Sequence, residues 1–138
     1  MEEKEKQAQE MYMEYQALDQ HIKQLQRQLE AITGQLMELS ATRSGLDDFD
    51  KIRPGKEIFV PVSSGIFAKA SIASTTEMLV NVGANVVVQK DLESTKKLIQ
   101  KQVEEIKKIH GQAMEDLEKL TGRAAHLEME LQKLMPRE

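Results

Sequence analysis

Lys56-Glu57-Ile58-Phe59-Val60-Pro61-Val62-Ser63-Ser64-Gly65-Ile66-Phe67-Ala68-Lys69-Ala70-Ser71-Ile72 holds two apolar, β-branched-rich runs parted by small residues, and the rest of the chain is arranged around it. The pattern predicts a β-hairpin, with Ser63-Ser64-Gly65 as a three-residue loop whose last position needs a residue tolerant of φ > 0. A second pair follows at once. Met78-Leu79-Val80-Asn81-Val82 and Val86-Val87-Val88-Gln89 flank Gly83-Ala84-Asn85, in which Gly83 and Asn85 are the residue types that enter the left-handed region most cheaply. Residues 56–90 therefore read as two hairpins in series.

Outward from this segment the period changes. Met11, Tyr15, Leu18, Ile22, Leu25, Leu29, Ile32, Leu36, Leu39 and Leu46 fall at alternating steps of four and three, interrupted only by Arg43. This is a heptad seam, with Tyr15, Ile22, Leu29, Leu36 and Arg43 at a and the others at d. The helix is expected to weaken at Ser44-Gly45, and Asp47-Asp48-Phe49-Asp50 and Arg53-Pro54-Gly55 break the period ahead of the first strand. After the hairpins, Asp91 is an expected N-cap. Leu92, Ile99, Ile106, Ala113, Leu120, Leu127 and Leu134 then recur every seven residues, with Val103, Leu117, Ala124 and Leu131 at a. Lys96 and His110 also take a positions, and Lys96 with Arg43 is expected to loosen the seam beside the hairpins.

Two such helices joined by a short β insert can bury their seams on each other only as an antiparallel pair. The expected fold class is therefore α+β: a long antiparallel two-helix coiled coil with two β-hairpins inserted at the hinge. One domain spans 1–138, with a first helix over 1–50, hairpins over 56–90 and a second helix over 91–135. Paired hairpins are marginal alone and leave edge strands unpaired, so other chains should complete them. Ile58, Phe59, Val60, Val62, Ile66, Phe67, Leu79, Val80, Val82, Val86, Val87 and Val88 are the expected oligomer interface, with Ile58, Val60 and Val62 sharing one strand face.

Composition limits what else the chain could be. Hydrophobic residues make up 40% of it, aromatics 4%, and Trp is absent, which favours a thin helical seam over a thick globular core. Lys and Arg number 19 against 23 Asp and Glu, interspersed in sign, so nucleic acid is a poor partner. The absence of Cys removes thiol chemistry and fits a reducing compartment. Met1-Glu2-Glu3-Lys4 is charged, and no apolar run approaches the roughly 18 residues a bilayer span requires. The expectation is a soluble, cytoplasmic protein that neither crosses nor binds a membrane.

Catalysis finds no constellation. His21, His110 and His126 are far apart in sequence, and Asp47, Asp48 and Asp50 lack the Gly and closing Glu of a calcium loop. Gly83-Ala84-Asn85 leads into a strand and is too short to cradle a phosphate. No catalytic, cofactor or metal residue is assigned, and no enzyme activity is expected. The methionines carry more information. Met11, Met13, Met129 and Met135 gather at one end of the expected helix pair; Met13 and Met129 at f, and Tyr12 and Met135 at e, point off the seam. Flexible, polarisable thioethers suit a surface that accepts many apolar sequences.

The order of a coiled-coil helix, Gly55-Lys56-Glu57-Ile58-Phe59-Val60-Pro61-Val62-Ser63-Ser64-Gly65, a second strand, Leu79-Val80-Asn81-Val82-Gly83-Ala84-Asn85-Val86-Val87-Val88 and a second coiled-coil helix resembles the α-type subunits of the prefoldin family. The resemblance covers nearly the whole chain and is most specific in the insert, because β-type subunits carry one hairpin. Asn85 departs from it where the family often has a second Gly, and Asn also tolerates φ > 0. The resemblance implies a hexamer of two α-type and four β-type subunits joined through an intersubunit β-barrel. It also implies an ATP-independent chaperone that holds unfolded chains at the arm tips and delivers them to a group II chaperonin. On that basis Met11, Tyr12, Met13, Tyr15, Leu127, Met129, Leu131, Leu134 and Met135 are the expected client-binding residues. A coiled-coil spacer or filament protein that polymerises through its β segment is the competing expectation.

Overall fold

The computed structural model describes residues 2–134, in the order α1 (Glu2–Asp50), β1 (Glu57–Ser63), β2 (Ile66–Ser71), β3 (Glu77–Gly83), β4 (Val86–Asp91) and α2 (Leu92–Leu134). The expected architecture of two long helices with two antiparallel hairpins between them is present. The chain divides into two compact units, Met1–Gln35 with Ile106–Glu138, and Leu36–Glu105.

In the first unit the seam is real and thin. Leu25, Leu29 and Ala113 form its buried centre, with Ile32, Leu117 and Leu120 packed against them. Heptad spacing brings these residues to one stripe of each helix, and burying that stripe is what stabilises chains too polar to form a globular core. Among the described residues no large side chain is fully enclosed. The helices run antiparallel: Lys4, Glu5, Ala8, Gln9 and Tyr12 of α1 line one cleft with Leu134 of α2, and Arg123 meets Glu14 at 2.9 Å. Ala8, buried at the a position one heptad before Tyr15, extends the seam further than the sequence reading carried it.

In the second unit α1 continues where the sequence predicted weakening. It passes through Ser44 and Gly45 without a break and ends at Asp50, while Leu46 and Phe49 keep half-buried positions on its inner stripe. The last turn of α1 has no basic residue of its own. Lys96 of α2 supplies the missing cation, which the negative end of a helix dipole favours. Nζ of Lys96 donates to Asp50 at 2.9 Å and lies 3.4 Å from Asp47. Lys96 thus ties the two helices together instead of loosening the seam; Arg43 is exposed.

The hairpins are copies of one another. β1 pairs with β2 from Glu57↔Ser71 to Ser63↔Ile66, and β3 pairs with β4 from Glu77↔Asp91 to Gly83↔Val86; adding 20 to every residue of the first register reproduces the second. The bulge recurs too, between Pro61 and Ser63 and between Asn81 and Gly83. So does the bond closing each base, from the Ile72 amide to the Lys56 carbonyl at 2.9 Å and from the Leu92 amide to the Thr76 carbonyl at 3.1 Å.

The expected three-residue loops resolve into two-residue turns plus a bulge, because Ser63 pairs directly with Ile66. Gly65 takes φ 76° in the first turn. In the second, Ala84 (φ 50°) and Asn85 (φ 59°) are both left-handed, the signs of a type I′ turn, and Gly83 precedes them at φ 116°. Ala84 was not expected there. The tight turn requires positive φ at both central residues, and the bond from the Gly83 amide to Asn81 Oδ1 at 2.9 Å helps hold the bend.

Candidate interaction surfaces

At the free end of the first unit, burial sorts the expected client-binding residues into three groups. Met13 (69% exposed), Met129 (60%) and Tyr12 stand in solvent, as their off-seam positions require. Met11, Tyr15, Leu131 and Leu134 are half-buried along the seam. Leu127 is only 2% exposed, so its d position spends its surface on the partner helix and leaves none to offer. Met135 lies outside the described residues. The end is consequently a packed seam with apolar side chains on its outside, flanked by the cleft beside Tyr12 and Leu134.

Each hairpin has one half-covered and one open face. Alternation places Ile58, Val60 and Ala70 on the first hairpin's half-covered side, with Ala68 on the same side but exposed, and Phe59, Pro61, Phe67 and Lys69 on the open side. The second hairpin repeats this with Met78, Val80, Val88 and Lys90 against Leu79, Asn81, Val87 and Gln89. Phe59 is 70% exposed and Leu79 78%. Val62 departs from expectation: the bulge at its position takes it out of the strand pairing, and it is exposed where Ile58 and Val60 are half-covered. Val82 occupies the equivalent place; Ile66, Val86 and Val87 are likewise exposed. Contiguous exposed apolar residues of this kind are the mark of interaction surfaces.

The joints that aim these surfaces are polar. Asp91, the last residue of β4, is the expected N-cap: its Oδ1 accepts from the Ser94 amide at 2.6 Å, and that bond holds its carboxyl below the usual carboxylate range. Its carbonyl accepts from Thr95 Oγ1 at 2.8 Å, which satisfies a hydroxyl buried under the helix start. The bond to Asp50, followed by that to Asp47, raises Lys96 above the ordinary lysine value. His21 and His126 are exposed and His110 sits half-buried in the seam.

Two features escaped the sequence reading. The hairpin repeat could have been found by sliding the chain 20 residues on itself, which aligns Glu57, Val60 and Val62 with Glu77, Val80 and Val82. The Lys96 clamp was signalled by a lysine in an apolar register facing a run of acids.

A coiled-coil pair with a duplicated hairpin at its hinge and apolar side chains exposed on hairpins and free end defines a class of multisubunit coiled-coil proteins, and comparison with known proteins specifies it. The family model described as prefoldin subunit matches residues 18–137. The chain belongs to the prefoldin family. It is 33% identical over 86 residues to prefoldin subunit alpha of Thermofilum pendens, which covers 62% of this chain and 67% of that one. It is 32% identical over 75 residues to prefoldin subunit alpha of Methanobrevibacter smithii, covering 54% and 51% respectively. The matches thus span about half to two thirds of these curated relatives. Among solved structures, a cryo-EM structure of filamentous PFD from Methanocaldococcus jannaschii has the same fold, with a TM-score of 0.73 at 18% identity over 84% of this chain and 96% of that one.

Proposed function

We propose that this chain is the α-type subunit of an ATP-independent, cytoplasmic holding chaperone, not an enzyme. In this reading it assembles with β-type subunits, two α to four β, through its hairpins into a β-barrel. It then presents unfolded polypeptides, held at its free end, to a group II chaperonin. The observation that carries the reading is the separation of apolar surface from fold: Tyr12, Met13 and Met129 are exposed beside a seam that Leu127 closes without them. Side chains that stand largely in solvent yet cluster at one end have solvent or a client as their alternatives. A single Met contact gains roughly 1.5–3 kcal/mol, so holding requires several arms on one client.

The test is suppression of aggregation of a denatured client by the complex purified with its co-expressed β-type partner. Suppression without ATP is expected; none at a molar excess of complex over client overturns the proposal. A second reading, polymerisation through the hairpins, is favoured by the open faces around Phe59 and Leu79 and by the filamentous assembly named for the structural neighbour. Mass measurement separates the two, since a closed hexamer has one mass and a filament a concentration-dependent distribution.

A further inference from the structure

The chain has eight methionines and no cysteine, so the thioether is its only readily oxidised sulfur. Placement divides the described methionines sharply. Met11 and Met78 are half-buried in the seam and the second hairpin, whereas Met13, Met37, Met114 and Met129 are exposed. Of the exposed four, Met13 and Met129 lie near the free end, one on each helix, on the face opposite the seam. Adding an oxygen to a buried methionine breaks packing, but adding one to an f-position methionine leaves the seam intact. What changes there is the surface, from apolar and adaptable to polar.

We infer that Met13 and Met129 form a reversible oxidation switch on the apolar end of the arm. A hydroperoxide delivers one oxygen to each thioether: the O–O bond breaks, an S–O bond forms, the sulfur loses two electrons and, with hydrogen peroxide, water leaves. A dithiol-dependent sulfoxide reductase reverses the step, oxidising two thiols to a disulfide and releasing water. The oxidised arm stays helical and loses its hold on apolar chains. This inference rests on the proposed holding function, and it adds the regulation of that same surface.

The experiment uses the complex assembled with its partner subunits, with Met135→Leu in every protein compared so that a residue outside the described ones does not enter. Three α-type chains are compared: one otherwise unchanged, one with Met13→Leu and Met129→Leu, and one with Met37→Leu and Met114→Leu. Each is treated with hydrogen peroxide, and oxygen uptake is mapped by peptide mass spectrometry. In the first protein Met13 and Met129 should be oxidised before Met11 and Met78, with helicity unchanged. At least about tenfold more complex should then be needed to suppress the same aggregation, the loss expected when even one of the two methionine contacts is removed at the low end of its range. Reductase and dithiol should restore it. The Met13→Leu/Met129→Leu protein should hold equally before and after peroxide, and the Met37→Leu/Met114→Leu protein should lose holding like the first. Equal loss in all three, or full holding once both sites carry oxygen, overturns the switch. A fourth protein, Met13→Gln and Met129→Gln without peroxide, separates the two levels. Full holding by it removes the end-of-arm reading itself; weakened holding by it beside full holding by the oxidised protein removes only the switch.

Discussion

Lys96 Nζ lies 2.9 Å from Asp50 and 3.4 Å from Asp47, so a cation near the start of α2 closes the final turn of α1. A leucine at this a position would bury more apolar surface, yet it would leave two acids at the negative end of a helix dipole. Lys96→Met should therefore leave the thermal midpoint of the helices unchanged or raised, while amide exchange in residues 47–52 accelerates. Raised salt should speed the same amides in the unaltered protein and not in the variant. Equal exchange in both proteins at low salt would remove the clamp.

The pH behaviour of the two joints has opposite sign. Lys96 is raised on folding, so its contribution is complete below the ordinary lysine value and is lost as pH rises through the folded one. Asp91 is lowered, so its contribution is present above the ordinary carboxylate value and is lost as pH falls through the folded one. Asp91→Asn should keep the cap without the acid-side loss, and Asp91→Ala should lower the helix midpoint at neutral pH and by less in acid, where the wild-type contribution is already lost. Circular dichroism melts from acid to alkaline pH check both signs.

Burial ranks the seam. Leu127→Ala and Leu29→Ala should each cost about 2–5 kcal/mol, and half-buried Leu117→Ala less. Met129→Ser, two residues from Leu127 but off the seam, should alter stability by about 0.5 kcal/mol or less. Denaturant unfolding of the four variants settles the order; a Met129 effect as large as that of Leu127 would contradict the separation of fold from surface.

Assembly should depend on the open hairpin faces. Phe59→Asp and Leu79→Asp place charge where the isolated chain has only solvent, so the hairpins should persist while the complex falls apart. Val80→Asp, half-covered opposite Val88, should disturb the hairpin as well. Sedimentation with the β-type partner is the measurement, and intact complexes in both open-face variants would move the interface elsewhere.

The second turn stores strain at Ala84. An L-residue at φ 50° costs about 1–2 kcal/mol, so Ala84→Gly or Ala84→Asn should stabilise the insert by about 1 kcal/mol. Gly83→Val at φ 116° should destabilise it, even though space for the side chain is open. Thermal unfolding of the three variants tests the assignment.

The seam was legible because an unbroken heptad run leaves little choice of helix face, and the hairpins because period two gives way to turn residues at fixed places. Legibility failed where tertiary partners overrule local signals. Ser44-Gly45 read as a weakening and the acids after it as a break in the period, since the cation that compensates those acids is some 50 residues away in the sequence. The hairpin repeat hid because most of its paired positions share polarity without identity, as Phe59 and Leu79 do. Leu127 was placed among client-binding residues by the resemblance, which puts clients at the arm tips, whereas its heptad position already assigned it to the seam.

The two joints of the insert differ in kind. α1 reaches β1 through residues 51–56, but β4 ends on Asp91, whose side chain and carbonyl bond the first turn of α2 with no residue intervening. The Leu92 amide bonds back to Thr76, so strand, cap and hairpin base share one short stretch of backbone. The second joint is thus direct, whereas the first runs through a six-residue link that is itself pinned, since the Gly55 amide and the Lys56 carbonyl both bond Ile72. Each helix is therefore fastened to the base of its own hairpin, α1 to the first and α2 to the second, so the repeat of the hairpins is also a repeat of their moorings.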